Sequence, residues 1–117
     1  MAGKAKLFND KVTLSKILRA TEPMSIKRLG RQVRGFDGTA WDSHKYELVV
    51  QGNRLKFGQN PRLMQVLKST SGKTLVEAAA NDRVWGIGIS VEDACRGVQW
   101  RGENLLGKAL MVVRDVR

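Results

Sequence analysis

Four side chains able to do acid–base or ligand chemistry, Glu77, Asp82, Trp85 and Asn104, fall in or beside two glycine-bearing turns. Side chains placed there can project into a cleft formed by loops on a helical scaffold. A carboxylate beside a tryptophan suits a nucleotide or a sugar, because the acid accepts hydroxyl protons and the indole stacks on a base. The same residues also fit a plainer assignment, in which Asp82 makes an Asx turn and Trp85 anchors the core.

Other arrangements in the chain are weaker. Gly86-Ile87-Gly88 brings backbone close to whatever lies beside it, but no third glycine opens a helix at the dinucleotide-binding offset. Gly72-Lys73-Thr74 ends like a phosphate-binding loop, yet Leu67 stands where the earlier glycine belongs, and Thr74 is expected to enter a strand. No serine lies in a G-x-S-x-G elbow, and His44 falls on the polar side of a helix pattern, so a Ser-His-Asp hydrolase is not expected. Cys95 has no obvious histidine partner and reads as a spectator. A single cysteine and a single histidine rule out an internal disulfide and a His/Cys metal cluster.

Charge is the next signal. The 117 residues carry 21 Lys and Arg against 11 Asp and Glu, a formal net charge of +10. Between Lys4 and Arg34, nine basic residues face only Asp10 and Glu22, which leaves +7 in that stretch. Such a surplus attracts phosphates, on nucleic acid or on a small molecule, although a solvated basic face is the plainer alternative. Phe8 and Phe36 are the only aromatics in or beside it, so no base-stacking platform for single strands is evident.

The elements that must position these residues follow from periodicity. Leu14, Ile17 and Leu18 after Thr13 predict a helix from about Thr13 to Ala20, with Thr13 as its N-cap. Pro23 suits the first turn of a second helix with Ile26, Leu29 and Val33 inward, ending near Gly35. After the Phe36-Asp37-Gly38 turn, one stripe of a longer helix carries Trp41, Lys45, Leu48, Val49, Gly52, Leu55 and Lys56. Asn60-Pro61 opens a helix with Leu63, Val66 and Leu67 inward. Thr74–Glu77 reads as a short strand, and Asn104 is placed to cap a last helix through Leu105, Leu110 and Val113. The expected fold is α+β: one predominantly helical domain with a small β component. With 42% hydrophobic and 27% charged residues the chain has the composition of a folded globular domain. No apolar run approaches the roughly 18 residues of a membrane span, which points to a soluble, cytoplasmic protein.

Taken in order, Gly3-Lys4-Ala5, Glu22-Pro23, Leu29-Gly30-Arg31, Trp41, Lys56-Phe57, Leu75-Val76-Glu77, Asn81 through Gly88, Trp100-Arg101-Gly102, Asn104 through Gly107, Leu110-Met111 and Arg114 resemble the NADAR, or YbiA-like, family. The resemblance runs over nearly the whole chain. Its most specific parts are the carboxylate-turn-Trp-Gly-x-Gly element and Asn-x-x-Gly followed by Leu-Met and an arginine.

What the resemblance implies is a single domain over residues 1–117 that hydrolyses N-glycosidic bonds of ribosyl compounds. Implied substrates are ADP-ribose on guanine bases, or a ribosylamino pyrimidine of riboflavin synthesis. The family's reactive lysine corresponds to Lys4, expected to attack the anomeric carbon and form a Schiff base with the opened ribose; burial near other cations would free its amine. Asp82 or Glu77 would hold ribose hydroxyls or shuttle protons. Ligand contacts would come from Trp85, Trp41, the backbone at Gly86 and Gly88, Asn104 at a helix start, and Arg31 as a phosphate clamp, although Arg31 could equally be structural. No cofactor and no metal are implied. Expected partners are the ribosyl substrate, nucleic acid on the basic stretch, and a second copy of the chain covering exposed apolar surface; no membrane is among them. Family members carry a further N-terminal segment with a Ser-Asn-Phe or Ser-Asn-Trp element and a glutamate ahead of the lysine, so a shortened domain is expected here. The competing readings are a catalytically impaired member that binds an ADP-ribose-like ligand or nucleic acid, and a small basic packaging protein.

Overall fold

The structure, a computed structural model, describes residues 1–116. It contains the helices α1 (Ala2–Leu7), α2 (Lys11–Arg19), α3 (Pro23–Gly30), α4 (Gly38–Gly58), α5 (Pro61–Ser69), α6 (Val91–Cys95) and α7 (Leu105–Asp115). They belong to two compact units, one formed by Met1–Leu48 and a second beginning at Val49, with the boundary inside α4.

In the first unit α1, α2 and α3 pack on one another around Ala5, Ile17 and Val33, with Phe8, Leu14, Ile26 and Leu29 against that core. The cap of α2 is Asp10 and not Thr13: Asp10 Oδ1 accepts from the Thr13 amide at 3.0 Å, and Thr13 is buried in the helix. Both residues are good cap types, and the asparagine before Asp10 decides between them. Asn9 takes the left-handed conformation (φ 58°), its amide bonds the Lys6 carbonyl and the Asp10 amide bonds that of Ala5, the Schellman pattern that stops α1. The helix that follows must therefore begin at once. α3 ends at Gly30, earlier than expected, because the Arg31 and Gln32 amides tighten onto the carbonyls of Arg28 and Leu29. Val33 still reaches the core from beyond the helix end.

α4 has no buried residue. Of the expected stripe, Trp41, Lys45, Leu48 and Val49 are half-buried, while Gly52, Leu55 and Lys56 are exposed. Leu48 lies against Gly3, where a Cβ would come within 3.3 Å of its methyl.

In the second unit α5 packs on α7, and the buried apolar residues are Leu67, Ile87, Ile89, Ala109 and Val113. Arg114, also buried, donates Nη1 to the carbonyls of Thr70 (3.0 Å) and Lys73 (2.7 Å) and Nε to Asp115 at 2.8 Å. One guanidinium thus holds the end of α5 and the turn beyond it on α7.

The expected β component is absent: there is no strand among the described residues, and the fold is helical with a layer of irregular loops. Thr74–Glu77 has no regular secondary structure and no strand beside it among the described residues. The Glu77 amide is taken by Asn104 Oδ1 (3.0 Å), the Leu75 carbonyl by Asn104 Nδ2 (2.9 Å), and only the Glu77 carbonyl meets backbone, the Ile87 amide at 2.8 Å. A buried carboxamide does the hydrogen bonding of a neighbouring strand, which strand propensity in the sequence does not reveal.

Candidate active site

The residues singled out from sequence fall into two groups, one in each unit. In the first unit Lys4 sits mid-way along α1, half-buried, with Nζ 4.7 Å from the centroid of the Phe36 ring and 5.7 Å from that of Trp41. Trp41 lies in the first turns of α4, started by the Asp37 carboxylate accepting from the Thr39 amide at 2.9 Å. Phe36 packs edge-on against Phe8, ring centroids 5.2 Å apart. The ion pairs of the described residues, Lys45–Asp42, Arg96–Asp93 and Arg114–Asp115, leave Lys4 without a carboxylate.

Two opposing influences therefore act on the Lys4 amine. Aromatic faces favour the ammonium, and loss of water disfavours it. Desolvation prevails, and the pKa of Lys4 lies below the ordinary 10.5. An amine so placed reaches its nucleophilic form at lower pH than a surface lysine does. Arg31, the C-cap of α3, is exposed and takes no part in those ion pairs, so its guanidinium is open to an anion.

The second group is the loop layer over α7. Asp82 is half-buried, and its Oδ1 accepts from the amides of Val84 (3.0 Å) and Trp85 (2.8 Å), an Asx turn that aims the carboxylate and leaves Oδ2 without a hydrogen bond among the described residues. Trp85 is half-buried and Glu77 is exposed. Gly86 and Gly88 are buried, and what lies beside them is this chain's own backbone: a Cβ at Gly86 would stand 2.8 Å from the Asp82 carbonyl oxygen and 2.9 Å from that of Glu77. At Gly88 (φ +71°) a Cβ would meet the Arg101 backbone at 3.1 Å. The glycines are there for loop-on-loop contact.

Asn104 is 1% exposed and in the left-handed conformation (φ 56°). Its side chain makes no cap bond to α7, being committed to Leu75 and Glu77. The amides of Asn104, Leu105 and Leu106 donate to the carbonyls of Gly86, Val84 and Trp85 at 3.0–3.1 Å. The start of α7 is thus capped by the glycine turn, and these amides are not free for an anion.

Phe36 enters the site description without having been singled out from sequence. For Phe36 the available signal was Gly35-Phe36-Asp37-Gly38, turn chemistry two residues ahead of the helix that carries Trp41. Among the described residues no three His, Cys, Asp or Glu side chains are grouped to hold a metal ion, and no helix is long and apolar enough to cross a membrane.

The NADAR domain matches residues 1–116. "N-glycosidase R617" of Acanthamoeba polyphaga mimivirus is 49% identical over 117 residues, covering 98% of this chain and 69% of that protein. "Riboflavin biosynthesis protein PYRR, chloroplastic" of Zea mays is 34% identical over 106 residues, 87% of this chain and 16% of that protein. "N-glycosidase YbiA" of Escherichia coli (strain K12) is 31% identical over 112 residues, 96% of this chain and 64% of that protein.

Proposed function

This chain belongs to the NADAR domain family, and from that membership we propose that it is an N-glycosidase whose reacting amine is Lys4. The class of activity is supported by two relatives named N-glycosidases that match nearly the whole of this chain, 98% and 96% of its length. The observation that carries the assignment to Lys4 is its environment: a half-buried amine beside two aromatic rings, without a carboxylate partner among the described residues, and with lowered proton affinity.

The chemistry balances as hydrolysis. The Lys4 amine attacks the anomeric carbon of the ribosyl group, and the bond from that carbon to the base nitrogen breaks, its electron pair leaving with the base, which takes up a proton. Loss of a proton from the attached nitrogen and opening of the ribose ring give a protonated Schiff base between Nζ and the former anomeric carbon. Water adds to that carbon, the carbon–nitrogen bond breaks, and the ribose leaves as its aldehyde with the Lys4 amine restored. The aromatic faces of Phe36 and Trp41 suit the cationic nitrogen that exists between attack and release.

The substrate in this proposal is a phosphate-bearing ribosyl compound, ADP-ribose on guanine in the first place, supported by the basic residues of the first unit and by the exposed guanidinium of Arg31. A ribosylamino pyrimidine is the second reading, favoured by the relative named for riboflavin biosynthesis.

The test is liquid chromatography with mass detection of a guanine-ADP-ribosylated DNA oligonucleotide incubated with this chain, beside Lys4→Ala and an unmodified control, with a ribosylamino pyrimidine in a parallel arm. Restored guanine from the intact chain and none from the variant is expected. Unaltered turnover by Lys4→Ala removes Lys4 from the mechanism, and turnover in the pyrimidine arm alone moves the assignment to the second substrate.

A further inference from the structure

Asp10 binds three parts of the first unit at one point. Its backbone amide closes α1, the helix of Lys4, on the Ala5 carbonyl at 2.9 Å. Its Oδ1 starts α2 through the Thr13 amide at 3.0 Å. Its Oδ2 accepts from the Arg34 amide at 2.7 Å, across 24 residues of chain. Beyond Arg34 the chain turns at Gly35 (φ +71°), and the next residue is Phe36, whose ring stands over Lys4.

Phe36 is 49% exposed, so packing alone does not hold its ring; the edge-on contact with Phe8 covers one side. The place of the ring is set by the route of the backbone that delivers it, and Asp10 pins that route one residue before the left-handed turn. The backbone amide of the same residue closes the helix on which Lys4 rides.

We infer that Asp10 is a positioning residue for Lys4, holding the Arg34–Phe36 turn so that the Phe36 ring covers the Lys4 amine. The inference rests on the reading of Lys4 as the reacting amine only for its catalytic consequence; the structural coupling stands or falls by itself. The charged groups around Lys4 are few. The Met1 amine is near enough to be lowered by Lys4, after its own burial, and no carboxylate of the described ion pairs faces Lys4.

Asp10→Ser is the informative variant. Serine still caps α2 through the Thr13 amide, but it has no second oxygen for Arg34. The measurement is the pH midpoint of Lys4 acylation by an amine-directed reagent, read by mass spectrometry of the Lys4 peptide, in the intact chain, Asp10→Ser, Phe36→Ala and the double variant. Phe36→Ala removes a half-exposed ring and leaves the core intact. Uncovering the amine returns it toward the ordinary lysine value, so both single variants raise the midpoint, and each unit of rise cuts labelling at neutral pH about tenfold. The double variant behaves like Phe36→Ala alone, because Asp10 acts through the ring. An unshifted midpoint in a folded Asp10→Ser overturns the inference. So does an unshifted midpoint in Phe36→Ala, even should Asp10→Ser fail to fold. Failure of the glycosidase reading shows separately, as turnover that survives Lys4→Ala.

Discussion

Asn104 Nδ2 donates to the Leu75 carbonyl at 2.9 Å, joining residues 29 apart, while Oδ1 of the same carboxamide accepts from the Glu77 amide at 3.0 Å. This pair of bonds fixes the irregular segment that carries Glu77 onto the turn that starts α7. It is made by a residue that is 1% exposed.

Asn104→Ala deprives the Glu77 amide and the Leu75 carbonyl of their partner and is expected to lower stability by about 1–3 kcal/mol. Urea unfolding followed by circular dichroism measures it, and a loss under half a kcal/mol, on the order of a surface substitution, would show that the loop layer rearranges around the gap.

Arg114 gives a second stability prediction. Its guanidinium bonds the Thr70 and Lys73 carbonyls and Asp115, and lysine cannot reproduce that fork. Arg114→Ala should cost about 2–4 kcal/mol, with Arg114→Lys in between, in the same urea experiment. Equal stability of the lysine variant and the native chain would mean that a point charge suffices there.

Asp10 sets an acid limit. The amides of Arg34 and Thr13 lower its pKa from the ordinary 3.8 to about 2. A carboxylate depressed in the folded state contributes stability that is complete above its unfolded value and is lost as pH falls through its folded value. The stability of the native chain should therefore decline between about pH 3.8 and pH 2 through this group, and Asp10→Asn should flatten that part of the curve. A native slope retained in full by the variant would assign it to other carboxylates.

Lys4 has the opposite sign. Desolvation lowers its pKa in the folded chain, so the fold carries a penalty that is present in full below the folded value and vanishes as pH rises toward 10.5. Turnover should rise with pH and level off below 10.5, and Lys4→Met should lack the alkaline gain in stability seen in the native chain. A rate profile whose upper midpoint matches an ordinary lysine would contradict the desolvated site.

Much of the local structure was legible because its signals are local. Pro23 and Pro61 open α3 and α5, and Ile17, Ile26, Leu29, Val33 and Leu67 are inside or against the core where periodicity placed them. The Asx turn at Asp82 follows from a short polar side chain that bonds backbone two and three residues on. The second half of the α4 stripe and the inward placing of Leu63 and Val66 on α5 were misread, since Leu55, Leu63 and Val66 are all exposed: helical spacing states which residues share a face, and not whether anything covers it.

The sequence by itself determined the proline-led starts of α3 and α5, the basic charge of the first unit and, through motif order, membership of the NADAR family. Only the tertiary structure decided that Thr74–Glu77 is no strand, that the glycines of the Trp85–Ile89 turn receive the chain's own backbone, and that Phe36 covers Lys4. The reason is the range of the interactions. A cap or a proline acts within one helical turn, whereas Asn104 with Leu75 and Asp10 with Arg34 are hydrogen bonds between residues 29 and 24 positions apart, chosen by which groups burial leaves in need of a partner.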